Sequence, residues 1–153
     1  MRPVVLALGF VLAFAVAALA QPYETPEQLL EALYAPYFSG DFSDDEAGFR
    51  SDALNALYEA DEQRTPLGEM GAISFDPYID GQDFDIEDLV IGTPAITGAR
   101  AVVAVTFTNF GAPRAISYDL VFEHGGWKVD DLEGTNPEFS YRLTEIFAEA
   151  AAQ

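Results

Sequence analysis

The sequence predicts an α+β fold in which N-terminal helices pack on a curved antiparallel sheet of about four to six strands, with a last helix after it. Three observations carry that expectation. Residues 99–132 hold two long alternating runs, 101–110 and 115–123, and a shorter one at 127–132. Glycine-bearing turns join these runs. Apolar residues at helical spacing precede and follow them.

In the first run Ala101, Val103, Val105 and Phe107 share one face, and Val102, Ala104, Thr106 and Thr108 the other, because successive strand side chains point to opposite sides. The second run sets Ile116, Tyr118, Leu120 and Phe122 against Ser117, Asp119, Val121 and Glu123, an alternation suited to an antiparallel sheet with one wetter side. At His124-Gly125-Gly126-Trp127 the glycines are expected to supply the positive φ of a hairpin turn, which folds the third run back with Trp127 and Val129 inward. Gly111-Ala112-Pro113 is predicted to turn the chain in the same way upstream. Residues 84–92 are predicted as the first strand of the sheet, and 93–98 as its turn into the central run.

Thr25-Pro26-Glu27-Gln28 opens the first helix with a cap, a proline at the first helical position and a capping-box glutamine; Leu29, Leu30, Leu33, Tyr34 and Tyr37 make its apolar face. Pro36 should end or kink it near Ala35. Ser43-Asp44-Asp45-Glu46 is read as a second capping box, opening an amphipathic helix through Phe49, Ala53, Leu54, Leu57 and Tyr58 to about Ala60. Residues 61–72 read as a loop placed to act as a flap. Near the end, Asn136 is predicted to cap, and Pro137 to begin, a helix with a stripe of Phe139, Leu143, Ile146 and Phe147.

Residues 1–20 have the form of a secretory signal peptide: Arg2, then an unbroken apolar stretch, then Ala18-Leu19-Ala20 before Gln21. The stretch of about 16 apolar residues falls short of the roughly 20 that span a bilayer. The expectation is therefore a cleaved leader, a periplasmic or secreted protein with no membrane anchor after cleavage, and residues 21–153 as a single domain. The chain has no cysteine, so neither disulfides nor a lipid-bearing cysteine are available. Its formal charge of −19 opposes binding to nucleic acid and to anionic membranes, and favours cations or a basic protein face.

Residues 34–38, Asp76-Pro77 with Gly81-Gln82-Asp83, the run 101–107, and Gly126-Trp127-Lys128-Val129-Asp130-Asp131-Leu132 together resemble domain-of-unknown-function family 3828, a family of short exported bacterial proteins. The order of helices followed by a meander is similar to the nuclear-transport-factor-2-like, or cystatin-like, cone. That resemblance implies helices packed in the concavity of a curved sheet and an exported location. It implies no activity.

With one histidine and no cysteine, zinc sets and Cys/His or Ser/His/Asp catalysis are not expected, and no cofactor is called for. His124 is expected at an exposed hairpin tip. The acidic stretch Asp76, Asp80, Gln82, Asp83, Asp85 and Glu87 partly follows calcium-loop spacing, but Tyr78 stands where a carboxylate is needed; a solvated acidic turn whose Asp side chains cap local N–H groups is the expectation. On the meander Asp119, Asp130, Asp131 and Tyr118 are candidates for acid–base chemistry. Alternation puts Asp131 beside Trp127 and Val129, unless the face changes at the strand end and Asp131 caps a turn. The expected function is a non-catalytic module holding a small apolar or amphipathic ligand in a cavity lined by Tyr34, Phe38, Leu57, Phe107, Tyr118 and Trp127, with Asp131 as its polar group. The alternatives are an interaction module meeting another envelope protein through its sheet or acidic surface and, below it, a carboxylate enzyme. Either a monomer or a homodimer is compatible with the sequence.

Overall fold

The structure, a computed structural model, describes residues 22–43 and 45–152; the predicted leader lies outside them. Helix α1, Pro26–Tyr34, is capped by Thr25, whose side chain accepts the Gln28 N–H, and Gln28 reaches back to the Glu24 N–H. It buries Leu29, Leu30, Leu33 and Tyr34. Ala35 breaks it before the single turn α2, Pro36–Ser39, as Pro36 demands.

The second capping box does not open a helix. Residues 47–49 form a 3₁₀ turn, and α3, Asp52–Arg64, begins only after Ser51, whose hydroxyl accepts the Leu54 N–H. The later start has a tertiary cause: Arg50 bridges to Val129, and the Ser51 N–H donates to the Val129 carbonyl, which holds this backbone extended. Helix α3 runs past Ala60 to Arg64.

The sheet is antiparallel and six-stranded: β1 Ile86–Ile91, β2 Ala95–Thr97, β3 Arg100–Asn109, β4 Ala112–Glu123, β5 Gly126–Thr135 and β6 Ser140–Arg142. The order is β1-β3-β4-β5-β6, with β2 also on β3. Residues 93–98, predicted as a plain turn, thus contain a short strand, and β1 and β2 lie along the same neighbour. Burial alternates strictly along β3, with Ala101, Val103, Val105 and Phe107 inward. On β4 Ile116, Tyr118 and Leu120 are buried, whereas Phe122 is partly exposed and packs on Trp127.

Both hairpin turns fall one residue earlier than the glycines alone indicated. Phe110-Gly111 and His124-Gly125 are the positive-φ pairs, with Asn109 paired to Ala112 and Glu123 to Gly126. A left-handed non-glycine residue at the first turn position is tolerated because the following Gly takes the second.

At the C-terminal end Asn136 does cap, accepting the Glu138 and Phe139 N–H groups, but the turn it closes leads into β6 rather than a helix. The last helix is α4, Leu143–Ala151; Leu143 and Phe147 are buried, and Phe139, predicted in its stripe, is exposed before it. Gly134 on β5 lies under the Tyr141 ring on β6, where an added Cβ would overlap Cζ. A Gly134→Ala chain should therefore lose about 1–3 kcal/mol of stability, as overpacked cores do. Denaturant midpoints check this, and adding Tyr141→Ala should make the Gly134 change nearly neutral.

Candidate functional site

Residues 76–81 build the polar centre of the molecule. Asp76 and Gly81 pair as an isolated bridge, and Pro77, Tyr78, Ile79 and Asp80 between them are buried. The acidic stretch is therefore solvated, as expected, only at Gln82, Asp83, Asp85 and Glu87, and its first part lies inside the molecule. Its buried carbonyls, which have no strand neighbour, are met by phenols: Tyr34 donates to the Tyr78 carbonyl at 2.8 Å and Tyr141 to the Pro77 carbonyl at 2.6 Å. Because Tyr34 spends its only proton there, Tyr118 must be the donor in the 2.8 Å contact between the two hydroxyls. Burial raises the pKa of all three phenols, so each stays protonated and able to donate.

The carboxylates of Asp76 and Asp80 are committed. Asp76 Oδ1 accepts the Tyr78 N–H, as expected of a local cap, and Oδ2 accepts the Tyr37 hydroxyl. Burial raises the Asp76 pKa, with the Tyr37 and Tyr78 donors pulling the other way. Asp80 pairs with Arg114 Nε at 3.1 Å and accepts Asn136 Nδ2 at 2.6 Å. Asp83 is exposed and contributes its backbone carbonyl, which accepts Asn109 Nδ2.

Of the predicted cavity walls, Tyr34, Phe107 and Tyr118 come together, with Tyr34 edge-on to both others at 5.9 and 6.4 Å between ring centres. They fill the interior instead of lining a space. Phe38 is 58% exposed on α2, and Trp127 packs on Phe122 at the far hairpin. Asp131 does not share the face of Trp127 and Val129. A bulge at Asp130 shifts the register so that Val129 opposes Leu120 and Asp131 opposes Asp119. Asp131 then caps α4 from outside it: Oδ1 accepts the Thr144 N–H and Oδ2 the Thr144 hydroxyl. Arg142 bonds Asp119 and Asp131 through Nη1, at 2.8 and 2.9 Å, and Glu133 through Nη2 at 2.7 Å.

A groove of about 420 Å³ lies between α3 and the ends of β3, β4 and β5. Ala53, Leu54 and Leu57 of α3 face Ala101, Val102 and Leu120 across it, and Arg100, Asp119, Asp130, Asp131 and Thr144 make its polar edge. Leu57 and Asp131 are thus the two predicted lining residues that meet at an open site. Asp119 and Asp130, grouped with Asp131 by the sequence, join them there, whereas no sequence signal marked Arg100 or Thr144.

His124 stands at its hairpin tip with Nε2 2.7 Å from Asp52, and Glu123 accepts the Asp52 N–H at the start of α3. These three side chains are the one set of metal-type ligand groups that converges among the described residues. Two of the carboxylate contacts are spent on the helix start and the imidazole. No family model, curated protein or solved structure matches the chain. Fold and site therefore define its class alone: an α+β protein with a curved antiparallel sheet and an interior closed by tyrosines.

Two titrations follow. The raised pKa of Asp76 means the native state holds that proton more tightly than the unfolded chain does. Its contribution therefore falls as pH rises from the ordinary carboxylate value through the raised one. Unfolding midpoints of Asp76→Asn should fall less steeply than those of the wild type across that window. His124 is raised by its hydrogen bond to Asp52 and by that residue's charge. In an NMR titration its pKa should drop toward the ordinary histidine value in Asp52→Asn, with the Glu123 charge still holding it up.

Proposed function

We propose that this is an exported, non-catalytic binding module of the nuclear-transport-factor-2-like type, related to domain-of-unknown-function family 3828, which takes a small amphipathic ligand. The leader pattern supports export, and the helices-then-meander order supports the cone assignment. The observation that carries the ligand is the groove of about 420 Å³ beside α3, apolar along Leu54, Leu57, Ala101 and Leu120 and charged along one edge. An apolar pocket with a few convergent polar groups is the usual form of a small-molecule site. The ligand is held at the mouth between α3 and the sheet, because Tyr34 and Tyr118 close the interior behind it.

The polar edge and its neighbours carry Asp119, Asp130, Asp131 and Glu133 against Arg100 and Arg142. Carboxylates outnumber guanidiniums, so the head group is cationic or neutral. Calorimetric titration with octylammonium and octanoate should show the ammonium binding roughly tenfold more tightly, a difference of about 1.4 kcal/mol. Ala53 is exposed on the groove side of α3, so Ala53→Trp should fill the groove and abolish binding without lowering the melting temperature. Absence of binding by either amphiphile, or binding indifferent to Ala53→Trp, would refute the reading.

A second reading, contact with a basic envelope protein, is favoured by the loop after α3. There Leu67 is fully exposed and Met70 largely so, close in the chain to Glu62 and Glu69. An apolar tip among carboxylates suits a partner pocket with a basic rim.

A further inference from the structure

At the hairpin between β3 and β4 the sequence departs from what its own fold favours. Phe110 holds the first turn position at φ 49°, with Gly111 after it, a place where Asn, Asp or Gly is preferred and a bulky ring is strained. That ring is 63% exposed and takes no part in the core. A local rule broken without gain to the fold points to function. Nor does Phe110 stand alone. Its N–H donates to the Asp85 carbonyl at 3.0 Å, and Asn109 beside it accepts the Asp85 N–H and donates to the Asp83 carbonyl, which seats the hairpin tip against residues 83–85. There the Phe84 ring lies 5.6 Å from Phe42 and 5.3 Å from Tyr37, whose hydroxyl is tied to Asp76. Phe42 and Phe84 remain 51% and 41% exposed even in contact. Three phenylalanines thus make an apolar patch on a strongly charged protein, and such patches mark docking surfaces.

The charge around the patch selects its partner. Residues 35–49, 65–99 and 101–113, which include every segment of the patch, contain no lysine, arginine or histidine. Asp41, Asp83 and Asp85 stand exposed beside Phe42 and Phe84 in the chain. The nearest arginines along the chain are spent elsewhere, Arg50 on Asn55 and the Tyr58 ring and Arg114 on Asp80. A second copy would bring the same carboxylates and no cation, and an anionic membrane would be repelled. Strand β1 is bulged, with Asp88 left-handed, which opposes addition of a strand at its edge. Arginine fits both components of the patch, because a guanidinium stacks on an aromatic face and pairs a carboxylate through its planar fork. The molecule uses the first of these itself, with Arg50 4.0 Å over the Tyr58 ring. Asp83-Phe84-Asp85 alternates acid and ring, and complementarity asks the same alternation of the partner. We infer that Phe42, Phe84 and Phe110, with Asp41, Asp83 and Asp85, form a docking surface for a protein segment that alternates arginine with apolar residues. Its residues are distinct from those of the α3 groove and of the 65–71 tip.

Calorimetric titration of the full chain with three acetylated hexapeptides tests this: alternating arginine and leucine, alternating lysine and leucine, and arginine throughout. The alternating arginine peptide should bind saturably in the micromolar range, more tightly than the all-arginine peptide despite half its charge, and about fivefold more tightly than its lysine counterpart. Phe110→Asn, which suits the turn better than the native residue, should weaken it by at least about fivefold without lowering the melting temperature. Adding Phe84→Ser should weaken it further. Ala53→Trp and Leu67→Ser should change nothing, which separates failure here from failure of the α3 groove or of the 65–71 contact. Tightest binding by the all-arginine peptide would overturn the inference, since charge alone would then suffice. Equal binding by wild type and Phe110→Asn would do the same, as would loss of binding in Leu67→Ser or the absence of saturable binding by any of the peptides. Binding to phosphatidylcholine vesicles that Phe110→Asn removes would assign the patch to a membrane instead.

Discussion

The rest of the structure depends on two phenol-to-carbonyl hydrogen bonds. The chain folds the segment from Asp76 to Gly81 into its own interior, where the carbonyls of the buried Pro77 and Tyr78 have no strand beside them. An unmet buried carbonyl is costly. Tyr34, from the first helix, and Tyr141, from the last strand, meet them, so the two ends of the chain are tied to one internal loop. Tyr118 from the middle of the sheet completes the set by donating to Tyr34. Without a disulfide, this polar centre and the apolar side chains around it hold helices and sheet in one arrangement.

Because phenols and a loop occupy the interior, open volume is pushed to the margins: the mouth beside α3 and the corner behind Asp80. Each has a polar component built from an Asp–Arg pair. In a chain of formal charge −19, the few arginines are concentrated on carboxylates that would otherwise repel one another. Arg142 is the clearest instance, joining carboxylates from two neighbouring strands.

The central strands were legible in the sequence because a period of two on β3 reflects one local rule, the alternation of strand side chains. The first helix was legible for a similar reason, since its cap, proline and apolar face all lie within a dozen residues. What could not be read were the long-range commitments. The stretch around Asp80 looks solvated when charges are counted, because Arg114 and Asn136 lie far along the chain. The start of α3 depends on a bridge from Arg50 to Val129, which no capping signal near Ser43 encodes. The aromatic residues expected to wall a cavity were identified correctly as interior for Tyr34, Phe107 and Tyr118. Spacing does not reveal that their hydroxyls and edges would find one another and leave no room between them.

The bulge at Asp130 has a consequence for how the chain can change over time. In a regular strand, two consecutive acidic residues would face opposite sides, and one would enter the apolar interior. The extra residue turns both away and assigns each to a helix. Asp130 accepts the hydroxyl of Ser51, which caps α3, and Asp131 caps α4 directly. One inserted position in β5 thus serves the beginnings of two separate helices. Loss of a single codon there would slip every later partner along β4 and β6 and strip both caps at once. The exposed tip at 65–71, by contrast, has no register to keep. Descendants of this sequence should therefore vary freely in length at that tip while keeping the residue count of β5 fixed, even where the identities along the strand drift.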